Sequence, residues 1–278
     1  MPKSTIWEMP PEEQAQMLAA LRRARYGYLL TLQTNRGLTV SAETVRRLLH
    51  DIGWVWKRAK RVATDNDPQR VDRLARIRWV FEQLKLSEAM IFADELDIHL
   101  LPKVGCAWMP KGSQLAVMTL GQHQKHCLAG ALDLATGTLL HCLEPRTTHA
   151  LFHYLLSRLD ACYPAERFTQ LYVVVDHDKI YQAKAVEQWL AAHPRVTLLF
   201  LPTYCSHANP SERAFGNVHD CCTRNHQQKR LPDLVADVED HVHLNGPWQY
   251  KLSDLSYDPA VSAAVEKIAA EEQTKAAA

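Results

Sequence analysis

Apolar positions recur at two spacings along this chain, and the change falls near residue 85. Before it the spacing is helical. Met17, Leu18, Leu21, Tyr28 and Leu29 form one stripe after Pro10 and Pro11, and Val45, Leu48 and Leu49 form a second within residues 42–50. Asn35, Arg36 and Gly37 separate the two, Ser41 suits an N-cap, and Gly53 ends the second helix. A third stripe, Val71, Leu74, Ile77, Val80, Phe81 and Leu84, follows Asp67 and Pro68, which fit an N-cap and a first helical position. Beyond residue 85 the apolar residues close up into unbroken runs at 89–93, 171–175 and 196–201, the sign of strands covered on both faces. Further strands are predicted near 105–109, 115–120, 126–132 and 138–143, with a turn at Ala135, Thr136 and Gly137 before the last. Helices are predicted over 147–163 and 183–192 and from Asn209 and Pro210 onward, with a solvated amphipathic helix over 260–275.

Several antiparallel strands followed by helix, strand, helix, strand, helix give an α/β layout. It is that of a ribonuclease H-like domain, a mixed sheet with flanking helices, here preceded by a small all-α helix-turn-helix domain. The expected boundaries are 1–63 for a helix-turn-helix or winged-helix-like DNA-binding domain, 64–86 for a linker helix, 87–250 for the catalytic domain and 251–278 for a helical tail. The 278 residues suffice for one full core and a smaller one. No run of eighteen apolar residues or signal-peptide core is present, so the expectation is a cytoplasmic protein without a membrane segment. Seven cysteines without CxxC spacing exclude a disulfide framework and a zinc ribbon.

Net charge, only +1 overall, becomes informative once divided. Residues 1–80 carry 15 Lys and Arg against 8 Asp and Glu, and the remainder 17 against 23. A basic module beside an acidic one suits a protein that grips a polyanion with one part and a cation with the other. Thr44, Arg46, Arg47 and His50 lie opposite Val45 and Leu49, where a recognition helix would present them to DNA. Lys57, Arg58, Lys60 and Arg61 follow with interleaved Trp54 and Trp56, a basic and aromatic stretch of nucleic-acid-binding character. Trp108 and Lys111 are candidate DNA contacts from a loop, by stacking and by phosphate pairing, with a buried hairpin tryptophan as the blander alternative.

Two of the buried runs end on a carboxylate, Asp94 and Asp176, and Glu212 falls in the first turn of the helix begun by Asn209 and Pro210. Carboxylates at strand ends and a helix start can gather at one sheet edge. Hard cations such as Mg²⁺ take oxygen ligands of this kind, and two ions about 3.5–4 Å apart can activate the attacking oxygen and stabilise the leaving one in phosphoryl chemistry. Glu95, Asp97 and Asp178 are expected to be surface or supporting groups. His219, Cys222 and His226, on one helical face, offer a zinc set only three ligands large.

The words ADE at Asp94, VVVD at Asp176 and ANPSER around Glu212, with 35 residues between the last two carboxylates, resemble the DDE transposases of the IS630/Tc1/mariner superfamily, the IS630 family most closely. AWMPKG at 107–112, GALDLATG at 130–137, LPTYC at 201–205 and NGPW at 245–248 extend the resemblance over almost the whole chain. It implies that Asp94, Asp176 and Glu212 are metal ligands for Mg²⁺ or Mn²⁺, two ions in all. It also implies hydrolysis at transposon ends, strand transfer into a TA target, and a homodimer on paired ends. The partners would be terminal inverted repeats and target DNA. His177 and Tyr181 stand where the family commonly has Asn and His, and Ser206 and His207 replace a usual Pro and basic residue. His177 and Asn209 are expected to support the ligands. Members generally begin with a further helical subdomain, so an N-terminally shortened copy is implied. Two alternatives stay open: an impaired copy that only binds DNA, and a ribonuclease H-like nuclease without end specificity.

Overall fold

A computed structural model describes residues 67–119, 121–250, 252 and 258–277, together with Glu12, His50 and Asp51. The chain divides into two compact units, Met1–Val62 and Ala63–Ala278. The helices expected near 10–31 and over 42–50 lie outside the described residues, apart from Glu12, His50 and Asp51, which are helical and exposed.

Within the second unit helix α1 (Arg70–Glu82) begins where Asp67 prepares it: its carboxylate accepts from the Gln69 amide at 2.9 Å and its carbonyl from the Arg70 amide at 3.0 Å. Strand β1 (Glu88–His99) leads into β2 (Lys125–Asp133) and β3 (Thr138–Glu144), both antiparallel. Helix α2 (His149–Cys162) then crosses to β4 (Gln170–Val175), parallel to β1, and α3 (Lys184–Ala192) crosses to β5 (Val196–Phe200), parallel to β4. Sheet order is β3-β2-β1-β4-β5. Helices α4 (Ser211–Val218), α5 (Leu231–Leu244) and α6 (Pro259–Ala277) complete the unit. Among the described residues no helix is long and apolar enough to cross a membrane.

Both sheet faces are covered, which is why the apolar runs do not alternate. Ile91, Ala93, Val173 and Val175 face Leu151, Phe152, Leu155 and Val186 of α2 and α3. On the other face Met90, Phe92 and Val174 meet α1 and α6, while Leu96, Ile98, Leu128 and Leu132 meet α4 and α5. Gly130 has a specific purpose here. A Cβ at that position would sit 2.8 Å from the Phe215 ring, so its absence lets α4 lie directly on the sheet beside Asp94, the register partner of Gly130.

Three expectations need correction. β1 does not stop at Asp94 but continues to His99 along β2, because only its pairing with β4 ends, at Phe92 opposite Val174. Among the described residues no strand forms at 105–109 or 115–119. Pro110 and Gly112 interrupt this segment, its side chains are largely exposed, and its stem is held by a Lys103–Arg224 bridge and by Asn225, whose side chain exchanges bonds with the Gly105 backbone at 3.0 and 3.1 Å. The tail helix is not merely solvated: Val261 and Val265 are buried against α1, and Arg78 donates to Ser262 Oγ at 3.0 Å.

Candidate active site

Three separate segments converge on one edge of the sheet. Asp94 lies on β1 two residues past the last β4 pairing, where the strand has lost its neighbour on that side. Asp176 directly follows β4, and its Oδ1 accepts from the Asp178 amide at 2.9 Å, which turns the chain away from the sheet. Glu212 is the second residue of α4. Asn209 joins the first of these to the last. It is 1% exposed; its Nδ2 donates to Ala93 O at 3.1 Å and to Asp94 Oδ2 at 3.3 Å, and its Oδ1 accepts from Ser211 Oγ at 2.6 Å and Ser211 N at 3.2 Å. One buried amide therefore holds the first residue of α4 to the Asp94 carboxylate. Pro210 has φ −62° and ψ −24°, so it stands just before the first helical residue rather than at it.

Electrostatics set the three carboxylates against one another. Burial, then Glu212 and Asp176, push the Asp94 carboxyl up to about 7 against the opposing pull of the Glu95 amide. Glu212 is raised by burial and by Asp176, with a Ser206 hydrogen bond opposing. A bound cation relieves such a site, and the donors are hard oxygens, so the set fits a divalent metal. Among the described residues no group of three His, Cys, Asp or Glu side chains is near enough together to hold an ion as placed. The zinc set fails on the same ground: His219 is spent on Thr223 Oγ1 at 2.6 Å and Cys222 on Asp237 O at 3.9 Å.

The profile of the DDE superfamily endonucleases matches residues 89–235, a stretch that includes all three carboxylates. The chain belongs to the DDE superfamily of endonucleases. A winged helix-turn-helix family matches residues 30–73. The chain is 33% identical over 222 residues to an uncharacterized 39 kDa protein of insertion element IS630 from Shigella sonnei, over 79% of this chain and 64% of that relative's length. The Mos1 transposase paired-end complex with left transposon end is similar at 15% identity and a TM-score of 0.60, over 96% of this chain and 77% of that one. The Mos1 strand transfer complex aligns with 13% identity and a TM-score of 0.63, over 95% and 80%, and the catalytic domain of Mos1 mariner transposase with 12% and 0.52, over 76% and 97%. At these identities the likeness is one of fold, the ribonuclease H-like mixed sheet.

In this DDE endonuclease the two unusual residues near Asp176 are both engaged. Tyr181 is 1% exposed, packs edge-on against Phe152 at 4.6 Å and donates to Glu95 Oε2 at 2.6 Å. Glu95 is consequently no surface group: burial raises its carboxyl to about 8, with the Tyr181 bond opposing. The His177 ring stacks on Phe200 at 5.2 Å and takes a donated bond from Arg73 Nη1 on its Nε2. Burial of the ring, and then the charge of Arg73, lower its pKa against the opposing pull of Asp67 and Asp176. Asp97 pairs with Lys125 at 2.9 Å, and Asp178 Oδ1 accepts from Ile180 N at 3.0 Å at the start of a short turn.

Of the DNA-contact candidates, Thr44, Arg46, Arg47, Lys57, Arg58, Lys60 and Arg61 lie outside the described residues, whereas His50 is exposed. Trp108 is fully exposed, which rules out the buried hairpin alternative, and Lys111 is exposed beside it. Sequence reasoning did not single out Arg73 or Gly130. A basic residue opposite an apolar helical stripe reads as solvated, and a glycine inside a strand run carries no chemistry of its own.

Proposed function

We propose that this chain is a DNA transposase of an insertion sequence. It hydrolyses a phosphodiester at each end of its element, and the freed 3′-hydroxyl then attacks a target phosphodiester, displacing the target strand's 3′-oxygen. What supports this most is the meeting of Asp94, Asp176 and Glu212 at one sheet edge, within a DDE endonuclease whose N-terminal segment matches a winged helix-turn-helix. Asp94, Asp176 and Glu212 would hold Mg²⁺ or Mn²⁺, two ions in all, which when bound supply Lewis-acid activation of the attacking and leaving oxygens. Asn209 keeps Asp94 and the start of α4 in register, and the Asp178 amide fixes the orientation of Asp176. Thr44, Arg46, Arg47, His50, Lys57, Arg58, Lys60 and Arg61 would grip the terminal repeats, with Trp108 and Lys111 meeting DNA from the 101–124 loop. The working form is a homodimer on paired ends, and the work is divided among residues 1–63, 64–86, 87–250 and 251–278 as the sequence suggests.

Cleavage of labelled duplex carrying the element's ends, in Mg²⁺ and in Mn²⁺, tests the reading. Metal-dependent cutting that disappears in Asp176→Ala is expected. His177 and Tyr181 favour one alternative, a copy that binds ends without cutting; it would show end-specific, salt-sensitive binding and no product from either protein.

A further inference from the structure

We infer that Arg73 is a positioning residue of the carboxylate site, acting on Asp176 through His177. The inference rests on the hydrolytic reading above and concerns a contact specific to this chain's residues. His177 follows Asp176 directly, so the orientation of its ring sets the backbone from which the Asp176 carboxylate leaves β4. Two elements hold that ring, two residues past the end of β4: Phe200, the last residue of β5, stacks on its face at 5.2 Å and 29°, and Arg73 of α1 donates to its Nε2.

Because a guanidinium can only donate, Nε2 must accept, which fixes the neutral ring with its proton on Nδ1. The ring is thereby a supporting group rather than a metal ligand through Nε2. Arg73 is itself held. Its Nη2 donates to Gln69 Oε1 at 2.8 Å, and its Nε lies 3.7 Å from Asp67 Oδ2, an ion pair too long for a hydrogen bond. Asp67 Oδ2 in turn accepts from the Thr203 amide at 3.1 Å, in the loop after β5. A polar circuit thus runs from Thr203 through Asp67 and Arg73 to His177 and Phe200, closing around the residue beside Asp176. The helix-turn-helix match runs up to residue 73, so the start of α1 belongs both to that match and to the frame of the site. Asn at position 177, common in the family, has no ring to stack on Phe200 and would leave Arg73 without this acceptor.

The test uses the full chain as wild type, Arg73→Gln, Arg73→Lys, His177→Asn and Arg73→Gln/His177→Asn. Single-turnover cleavage of end-bearing duplex, duplex affinity by fluorescence anisotropy, Mn²⁺ binding by the electron paramagnetic resonance of the free ion, and melting temperature are measured together. Arg73→Gln is expected to slow cleavage and weaken Mn²⁺ binding by about 10- to 100-fold, as loss of a group supporting a metal ligand does, while duplex affinity changes by less than about twofold. In the His177→Asn background the same substitution should change either quantity by less than about twofold, because the contact is already gone. An equal effect in both backgrounds overturns the inference, as does a fall in duplex affinity that accounts for the lost cleavage. If Arg73→Gln melts below the assay temperature, Arg73→Lys carries the comparison, with the same expected dependence on His177. If the wild type does not cut, the hydrolytic reading fails, and Mn²⁺ binding alone decides: equal affinity in wild type and Arg73→Gln contradicts the role given to Arg73.

Discussion

The two sides of the carboxylate site are built from different materials. On the α4 side Asp94 and Glu212 are tied together by one buried amide, Asn209, over an apolar seam in which Phe215 rests where Gly130 has no side chain. On the β4 side Asp176 depends on a part-buried polar circuit of His177, Arg73 and Asp67. Buried hydrogen bonds whose loss strands other groups are costly to break, whereas partly exposed ion pairs contribute little to stability and can rearrange. The first side therefore sets where the site is, and the second sets how Asp176 meets it.

Substitutions should expose that difference. Asn209→Ala leaves the Asp94 carboxylate without its donor and the Ser211 amide and hydroxyl without their acceptor, so a loss of about 2–4 kcal/mol in denaturant unfolding is expected, together with loss of cleavage. Next comes Gly130→Val, whose Cβ would press on Phe215; about 1–3 kcal/mol is expected in the same measurement, with partial recovery in Gly130→Val/Phe215→Leu. Tyr181→Phe removes the donor to Glu95 and should cost about 1–2 kcal/mol, again on unfolding. Arg73→Gln, on the other side, should move the unfolding midpoint least of all while changing the chemistry. An unfolding cost for Arg73→Gln as large as that for Asn209→Ala would erase the contrast.

Proton linkage gives a smaller, graded effect. Asp94, raised to about 7, Glu95, raised to about 8, and Glu212, also raised, hold protons in the folded protein at a pH where the unfolded chain has lost them. Stability without metal should therefore fall as pH rises from about 4 to about 8 and level off above that. Melting curves in chelator across this range check it. Asp94→Asn should flatten the slope, and added Mg²⁺ should raise the melting temperature more at pH 8 than at pH 6.

Legibility in the sequence followed the same division. Asp94 and Asp176 were readable because each closes an apolar run that only a doubly covered strand explains, and Asn209 with Pro210 announced the helix that carries Glu212. Arg73 and His177 are 104 residues apart, and no local pattern joins them. Glu95 was left open between a surface and a supporting group for a similar reason: a charged residue next to Asp94 can look exposed until the phenol of Tyr181, 86 residues away, is seen to meet it. The 101–124 segment misled in the opposite direction. Leu115 and Met118 lie in a stretch read as a strand, but no second layer covers them, and they remain exposed. In the tail, Val261 and Val265 were read as the apolar face of a solvated helix, although α1 offered the surface that buries them.

On the proposed function, three carboxylates from three segments act as one hydrolytic site. That claim is tested most directly by single-turnover cleavage of end-bearing duplex in Mg²⁺ by the wild type, Asp94→Asn, Asp176→Asn and Glu212→Gln, with duplex affinity measured in parallel. The wild type should cut, and each variant should slow cutting about a hundredfold or more while holding duplex within about twofold of the wild-type affinity. Near-wild-type cutting by any one of the three variants would contradict the claim.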